Sequence, residues 1–124
     1  MEVKENLLYT KDHEWVHIEG DEAIVGITDY AQSELGEIVF VDVPSVGDGL
    51  AQFDTFGSIE AVKTVADLNM PMTGNVEEFN ERLDNEPELV NDDPYGDGWI
   101  IKISLDDPRE VANLLTPEQY KEIC

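Results

Sequence analysis

At 124 residues, with 41% hydrophobic and 29% charged side chains, the chain is long enough to bury one core and too apolar to be disordered throughout. Seven basic residues against 29 acidic ones give a formal charge of −22, which repels nucleic acid and anionic membrane surfaces; it favours basic patches on other proteins or serves solubility alone. Cys124 is the only cysteine, which excludes an internal disulfide, and no apolar run is long enough to span a bilayer, so a soluble, cytoplasmic, monomeric chain is expected. One unit over 1–124 is expected, with a core at 7–105 and a C-terminal extension at 106–124.

In chain order, Glu14 to Ile18 and Ala23 to Ile27 read as the two arms of a β-hairpin around the turn residues Glu19-Gly20-Asp21-Glu22. Thr28 is placed to cap a short helix through Ala31 and Leu35 that stops at Gly36. Ile38-Val39-Phe40-Val41 has the profile of a buried strand, and Phe56 to Leu68, Val76 to Phe79 and Trp99 to Ile103 are further strand candidates separated by prolines and glycines. Asp107-Pro108 and Thr116-Pro117 each set a capping side chain before a proline, which predicts two closing helices, the first with Val111, Leu114 and Leu115 facing the core. Gln119 stands three residues after Thr116, as a capping-box partner does. Many short strands imply an all-β sandwich or flattened barrel.

Several motifs fail on inspection. His13-Glu14-Trp15-Val16-His17 matches H-E-x-x-H, but in a strand the two imidazoles stand ~13 Å apart at ~3.3 Å per residue, too far to share a zinc ion. Asp93, Asp97 and Gly98 fall at EF-hand positions, yet Tyr95 and Ser104 occupy two positions that need ligand carboxylates or side-chain oxygens, which favours a solvated turn. No phosphate-binding glycine motif occurs, and two histidines and one cysteine do not supply a nucleophile, base and orienting group, so the chain is not expected to be an enzyme in its own right.

Lys63 is set among Ala61, Val62, Thr64 and Val65 in an otherwise acidic chain, the mark of either a strand-edge lysine that discourages edge pairing or a modification site. No Asn-Gly or Asp-Gly announces a tight turn there.

The segment Gly57-Ser58-Ile59-Glu60-Ala61-Val62-Lys63 followed by Ala66-Asp67-Leu68 resembles the lipoylation segment of glycine cleavage H proteins. The resemblance extends over about residues 7 to 123. It includes His13-Glu14-Trp15-Val16, Gly26 to Gln32, Leu35 to Val41, Pro44-Ser45-Val46-Gly47, Pro87 to Asn91, Asp93-Pro94-Tyr95-Gly96 and Gly98 to Ile103. Two departures are Thr64-Val65, where small residues are common, and the proline-to-glycine turn Asn69-Met70-Pro71-Met72-Thr73-Gly74.

The resemblance implies a mostly β, lipoyl-domain-like fold, a barrel-sandwich hybrid of two small antiparallel sheets with a short internal helix and C-terminal helices. It implies covalent lipoate on Lys63 at a hairpin tip, which takes the formal charge from −22 to −23 as an ammonium becomes an amide. It implies partners visited in turn: a pyridoxal-phosphate glycine decarboxylase, a tetrahydrofolate-dependent aminomethyltransferase, a flavin-dependent dihydrolipoyl dehydrogenase, and the enzyme that attaches the lipoyl group. Glu14 is the candidate holder of the cationic aminomethyl end of the arm; the alternative is an ordinary surface glutamate. Other readings are a relay that hands lipoate to other enzymes, a biotin carrier, which Val62 and Thr64 fit poorly because methionines usually flank that lysine, and an unmodified acidic binding module.

Overall fold

Short, alternating strands pair into two antiparallel sheets in the computed structural model, which describes residues 1–124. The larger sheet sets side by side β1 (Leu8–Tyr9), β2 (Glu14–Glu19), β3 (Glu22–Ile27), β9 (Ile101–Ser104), β8 (Gly74–Phe79) and β5 (Gly49–Leu50). The smaller consists of β4 (Ile38–Asp42), β6 (Thr55–Ala61) and β7 (Val65–Asn69). This is the mostly β architecture expected, with α1 (Asp29–Leu35) between β3 and β4.

The β2–β3 hairpin closes through Gly20-Asp21, with Gly20 at φ 66, a conformation that glycine adopts without steric cost. Because successive side chains point to opposite faces, Val16 and Val25 enter a main core of 19 buried residues, which also holds Ile38, Ile59, Leu68, Val76 and Ile103. Trp15, one residue away, points outward into a second cluster with Leu7, Tyr9 and Tyr120. Tyr120 belongs to α4 (Pro117–Ile123), so the last helix covers the outer face of β1 and β2.

The helix caps follow the sequence. Thr28 Oγ1 accepts from Ala31 N, and Gly36 ends α1 at φ 82 and ψ −155. Thr116 and Gln119 form the reciprocal capping box of α4.

Four expectations need correction. β4 is not a buried strand: a bulge between Ile38 and Phe40 shifts its register, and Val39 and Phe40 are 41% and 50% exposed, while Ile38 and Val41 are buried. Phe56 to Leu68 is not continuous but folds back as the β6–β7 hairpin, with Glu60 paired to Val65. The segment after Asp107 is a 3₁₀ helix, Pro108–Asn113, which ends before Leu114 turns inward in extended conformation and leaves Val111 exposed. Leu115 instead pairs its backbone with Tyr9. Between β8 and β9 stand two single-turn helices absent from the sequence reading, α2 (Arg82–Asn85) and α3 (Leu89–Asp92), which insert Leu83 and Val90 into the core. No helix is long and apolar enough to cross a membrane.

Candidate functional site

Lys63 stands at the tip of the β6–β7 hairpin, in the turn Ala61-Val62-Lys63-Thr64 that closes with Ala61 N donating to Thr64 O at 2.8 Å. No residue of this turn has a positive φ, which explains why no turn glycine announces it. Its anchor is tertiary: Val62 N donates to Glu37 O at 3.0 Å, which ties the tip to the residue before β4. The Lys63 side chain is exposed, and so are Val62, Thr64 and Val65 around it.

The seven basic residues are not equivalent. Lys4, Arg82, Lys102, Arg109 and Lys121 each sit within 4 Å of a carboxylate, which leaves Lys11 and Lys63 outside any ion pair. Of these two, only Lys63 is lifted on a hairpin tip.

The stem of Lys63 lies across Gly36. A Cβ on Gly36 would stand 3.2 Å from Lys63 Cε and 3.8 Å from Nζ, so the glycine serves both the positive φ that ends α1 and the passage of the lysine. Asn91, on α3, secures this corner: its amide nitrogen donates to Gly36 O and Gln32 Oε1, and its Oδ1 accepts from Ile38 N at 2.9 Å. Asn91 gave no local signal in the sequence, because its three partners lie 53 to 59 residues away.

Glu14 is not a surface residue: it opens β2 at 2% exposure. Thr10 Oγ1 donates to Glu14 Oε1 at 2.5 Å, and Asn69 N, at the end of β7 opposite the Lys63 tip, approaches Oε2 at 3.3 Å. Both partners are neutral, no cation compensates the burial, and loss of water pushes the Glu14 carboxyl up to about 7. Asp12 lies beside it and accepts from Asn69 Nδ2. An open groove of about 510 Å³ is bounded there by Lys11, Asp12, Phe53 and Asn113, with Phe53 held at φ 73 and 46% exposed.

The helix α1 joins the two ends of the site. Gly36, under the Lys63 stem, follows its last turn, and Thr28, before its first, donates its backbone N–H to His13 O beside Glu14. Its seven residues at ~1.5 Å each make the helix about 10 Å long.

The rejected motifs are scattered by the fold. His13 Nδ1 meets Tyr120 Oη, whereas His17 lies 3.9 Å from Glu19 on the exposed hairpin arm. No group of three or more His, Cys, Asp or Glu residues is arranged around a common point. Asp93 and Asp97 form a turn closed by Asp97 N donating to Asp93 Oδ2. Cys124 is exposed and free.

Comparison with known proteins agrees with this geometry. The family model described as "Glycine cleavage H-protein" matches residues 7–124. A glycine cleavage system H protein of Bacteroides thetaiotaomicron is 54% identical over 123 residues, 99% of this chain and 98% of its own. One of Halothermothrix orenii is 52% identical over 120 residues, 97% and 94% of the two chains. The crystal structure of a glycine cleavage system H protein from Mycobacterium marinum superposes with a TM-score of 0.84 at 34% identity, covering 97% of each chain. With an exposed, unpaired lysine on a hairpin tip and a matching sequence over almost its whole length, the chain belongs to the glycine cleavage H-protein family.

Proposed function

We propose that Lys63 is the attachment point of a lipoyl group and that the chain works as the lipoyl carrier of the glycine cleavage system. In that role it takes the aminomethyl group of glycine from a pyridoxal-phosphate glycine decarboxylase to a tetrahydrofolate-dependent aminomethyltransferase. A dihydrolipoyl dehydrogenase then serves the same arm, and a separate lipoylating enzyme installs it. The observation that supports this most directly is the single amine raised on a hairpin tip and outside any ion pair, in a chain of this family.

The bound lipoyl group supplies a cyclic disulfide that accepts and releases the one-carbon unit, chemistry that belongs to the cofactor. The residues of the chain hold and shelter. The turn anchored on Glu37 O presents Lys63 to a visiting enzyme without backbone rearrangement. Gly36 leaves room for the stem to lie towards α1, whose far end meets the Glu14 turn.

Glu14 is the residue suited to the cationic end of the arm. Its carboxyl is buried, satisfied only by neutral donors and poised near neutrality, so an arriving ammonium draws it into the charged form and gains a partner that water does not screen. The carrier is held to be cytoplasmic and without catalytic activity of its own, its contacts with enzymes being brief and steered by the formal charge of −22.

Reconstitution with the purified enzymes tests the reading. Lipoylated protein is expected to stimulate glycine decarboxylation and Lys63→Arg protein to give none; an active Lys63→Arg carrier sinks the proposal. Loaded Glu14→Ala protein is expected to lose its aminomethyl group to water faster than the unaltered chain, and equal rates remove Glu14 from the site.

A further inference from the structure

We infer that Tyr120 is a positioning residue for Glu14: acting through His13, it lets α4 fix the turn from which the buried carboxyl is presented. The inference rests on the reading of Glu14 as the end point of the arm.

Tyr120 is fully buried, and its ring stacks on Tyr9 with centroids 4.4 Å apart at 7°. Phenylalanine would fill that role equally well, so the hydroxyl needs its own explanation. Tyr120 Oη lies 2.8 Å from His13 Nδ1 and 2.6 Å from Thr28 Oγ1, and Thr28 Oγ1 also accepts from Ala31 N as the cap of α1. One hydroxyl therefore joins the last helix, the first helix and the residue preceding Glu14.

Counting protons gives this junction a direction. The Thr28 and Tyr120 hydroxyl protons both find acceptors when Thr28 donates to Tyr120 Oη and Tyr120 donates to Nδ1 of a neutral imidazole, whose own proton then sits on Nε2. A protonated His13 must donate from Nδ1, which reverses the chain and leaves the Thr28 hydroxyl proton, in a fully buried residue, without an acceptor. Burial holds the His13 imidazole below its ordinary range, against the opposing pull of Asp12 and Glu34. The other titratable groups around the ring are Tyr30 from α1, Tyr120 from α4 and Glu14 in the same turn.

The link reaches Glu14 through the backbone. His13 has φ 70, a conformation that L-residues rarely adopt and that persists only where neighbours over-determine it. Its N–H donates to Thr10 O, its C=O accepts from Thr28 N, and its ring is held by Tyr120. The next residue, Glu14, donates its N–H to Thr10 Oγ1, the same oxygen that hydrogen-bonds its carboxyl. Without the Tyr120 hydroxyl, His13 loses the one side-chain hydrogen bond that opposes relaxation, and the Glu14 carboxyl becomes wetter.

The test is a pH titration of the Glu14 carboxyl carbon by NMR in the full, unlipoylated chain, comparing the unaltered protein with Tyr120→Phe and His13→Asn. Phenylalanine keeps the stack on Tyr9, and asparagine tolerates the left-handed backbone but is too short to reach Tyr120. In both variants the Glu14 midpoint is expected to fall by about one unit or more, tenfold in the protonation equilibrium. An unchanged midpoint in either folded variant overturns the inference. Decay of the aminomethyl-loaded, lipoylated chains separates this link from the reading beneath it. Faster decay in Glu14→Ala but not in Tyr120→Phe overturns the positioning role. A shifted midpoint in Tyr120→Phe, with decay unchanged in both Tyr120→Phe and Glu14→Ala, supports the Tyr120–Glu14 link and overturns Glu14 as the end of the arm.

Discussion

The terminal methylene of Lys63 takes up the space that a side chain on Gly36 would fill: the Cβ that glycine lacks would stand 3.2 Å from Lys63 Cε. Gly36 also has φ 82 and ψ −155, a region open essentially to glycine alone. Gly36→Ala is therefore expected to destabilise the protein by about 1–3 kcal/mol, read as a lower urea midpoint, and to displace the Lys63 stem outward. A midpoint equal to that of the unaltered chain would show that the corner tolerates a side chain.

Lys63→Arg keeps the positive charge and touches no ion pair or core contact. Its stability is expected to stay within about 0.5 kcal/mol, while intact mass measurement on protein from a lipoylating host shows no adduct. An adduct persisting on the variant would place the modification elsewhere.

Glu14 gives a pH-dependent prediction. Its folded carboxyl is pushed up to about 7, above the ordinary 4.5, so its contribution to stability is fully present below pH 4.5 and is lost as pH rises through 7. Glu14→Gln removes that loss and is expected to be more stable than the unaltered chain by about 3 kcal/mol above pH 8, the gap closing towards pH 4.5. Denaturant unfolding across that range measures it; a gap that is constant with pH contradicts the buried, uncompensated carboxyl.

Asn91→Ala withdraws the acceptor from Ile38 N and the donor from Gly36 O in one change. A loss of about 1–3 kcal/mol is expected, with faster hydrogen exchange at Ile38 as the local signature. Unaltered exchange at Ile38 would mean that water replaces the amide at no cost.

What could be read in the sequence was what is local. The β2–β3 hairpin and α1 were legible because alternation, the Thr28 cap and the Gly36 stop act over a few neighbouring residues. The single-turn helices α2 and α3 were not, since neither has a side-chain cap and each is held by one inserted apolar residue, Leu83 or Val90. The wet face of β4 was hidden because a bulge, not composition, sets which residues point inward.

The site divides in the same way. Lys63 entered through resemblance, because its turn is fixed by the distant Glu37 carbonyl and carries no turn residue of its own. Glu14 was legible as a candidate but not as a buried group, because what closes over it includes Asn69, 55 residues along the chain. The Tyr120 hydroxyl left no local trace at all, since His13 and Thr28 lie 107 and 92 residues away.

On the reading proposed for Lys63, acylation of the amine would ask no strained dihedral of a turn that is already pinned to Glu37 O. Every visiting enzyme would then meet the same hairpin mount, whatever cargo is aboard. Discrimination between a full and an empty carrier would then fall to the far end of the tether and to the Glu14 turn that receives it, and the order of visits would be written in the chemistry of the tether and not in the shape of its mount.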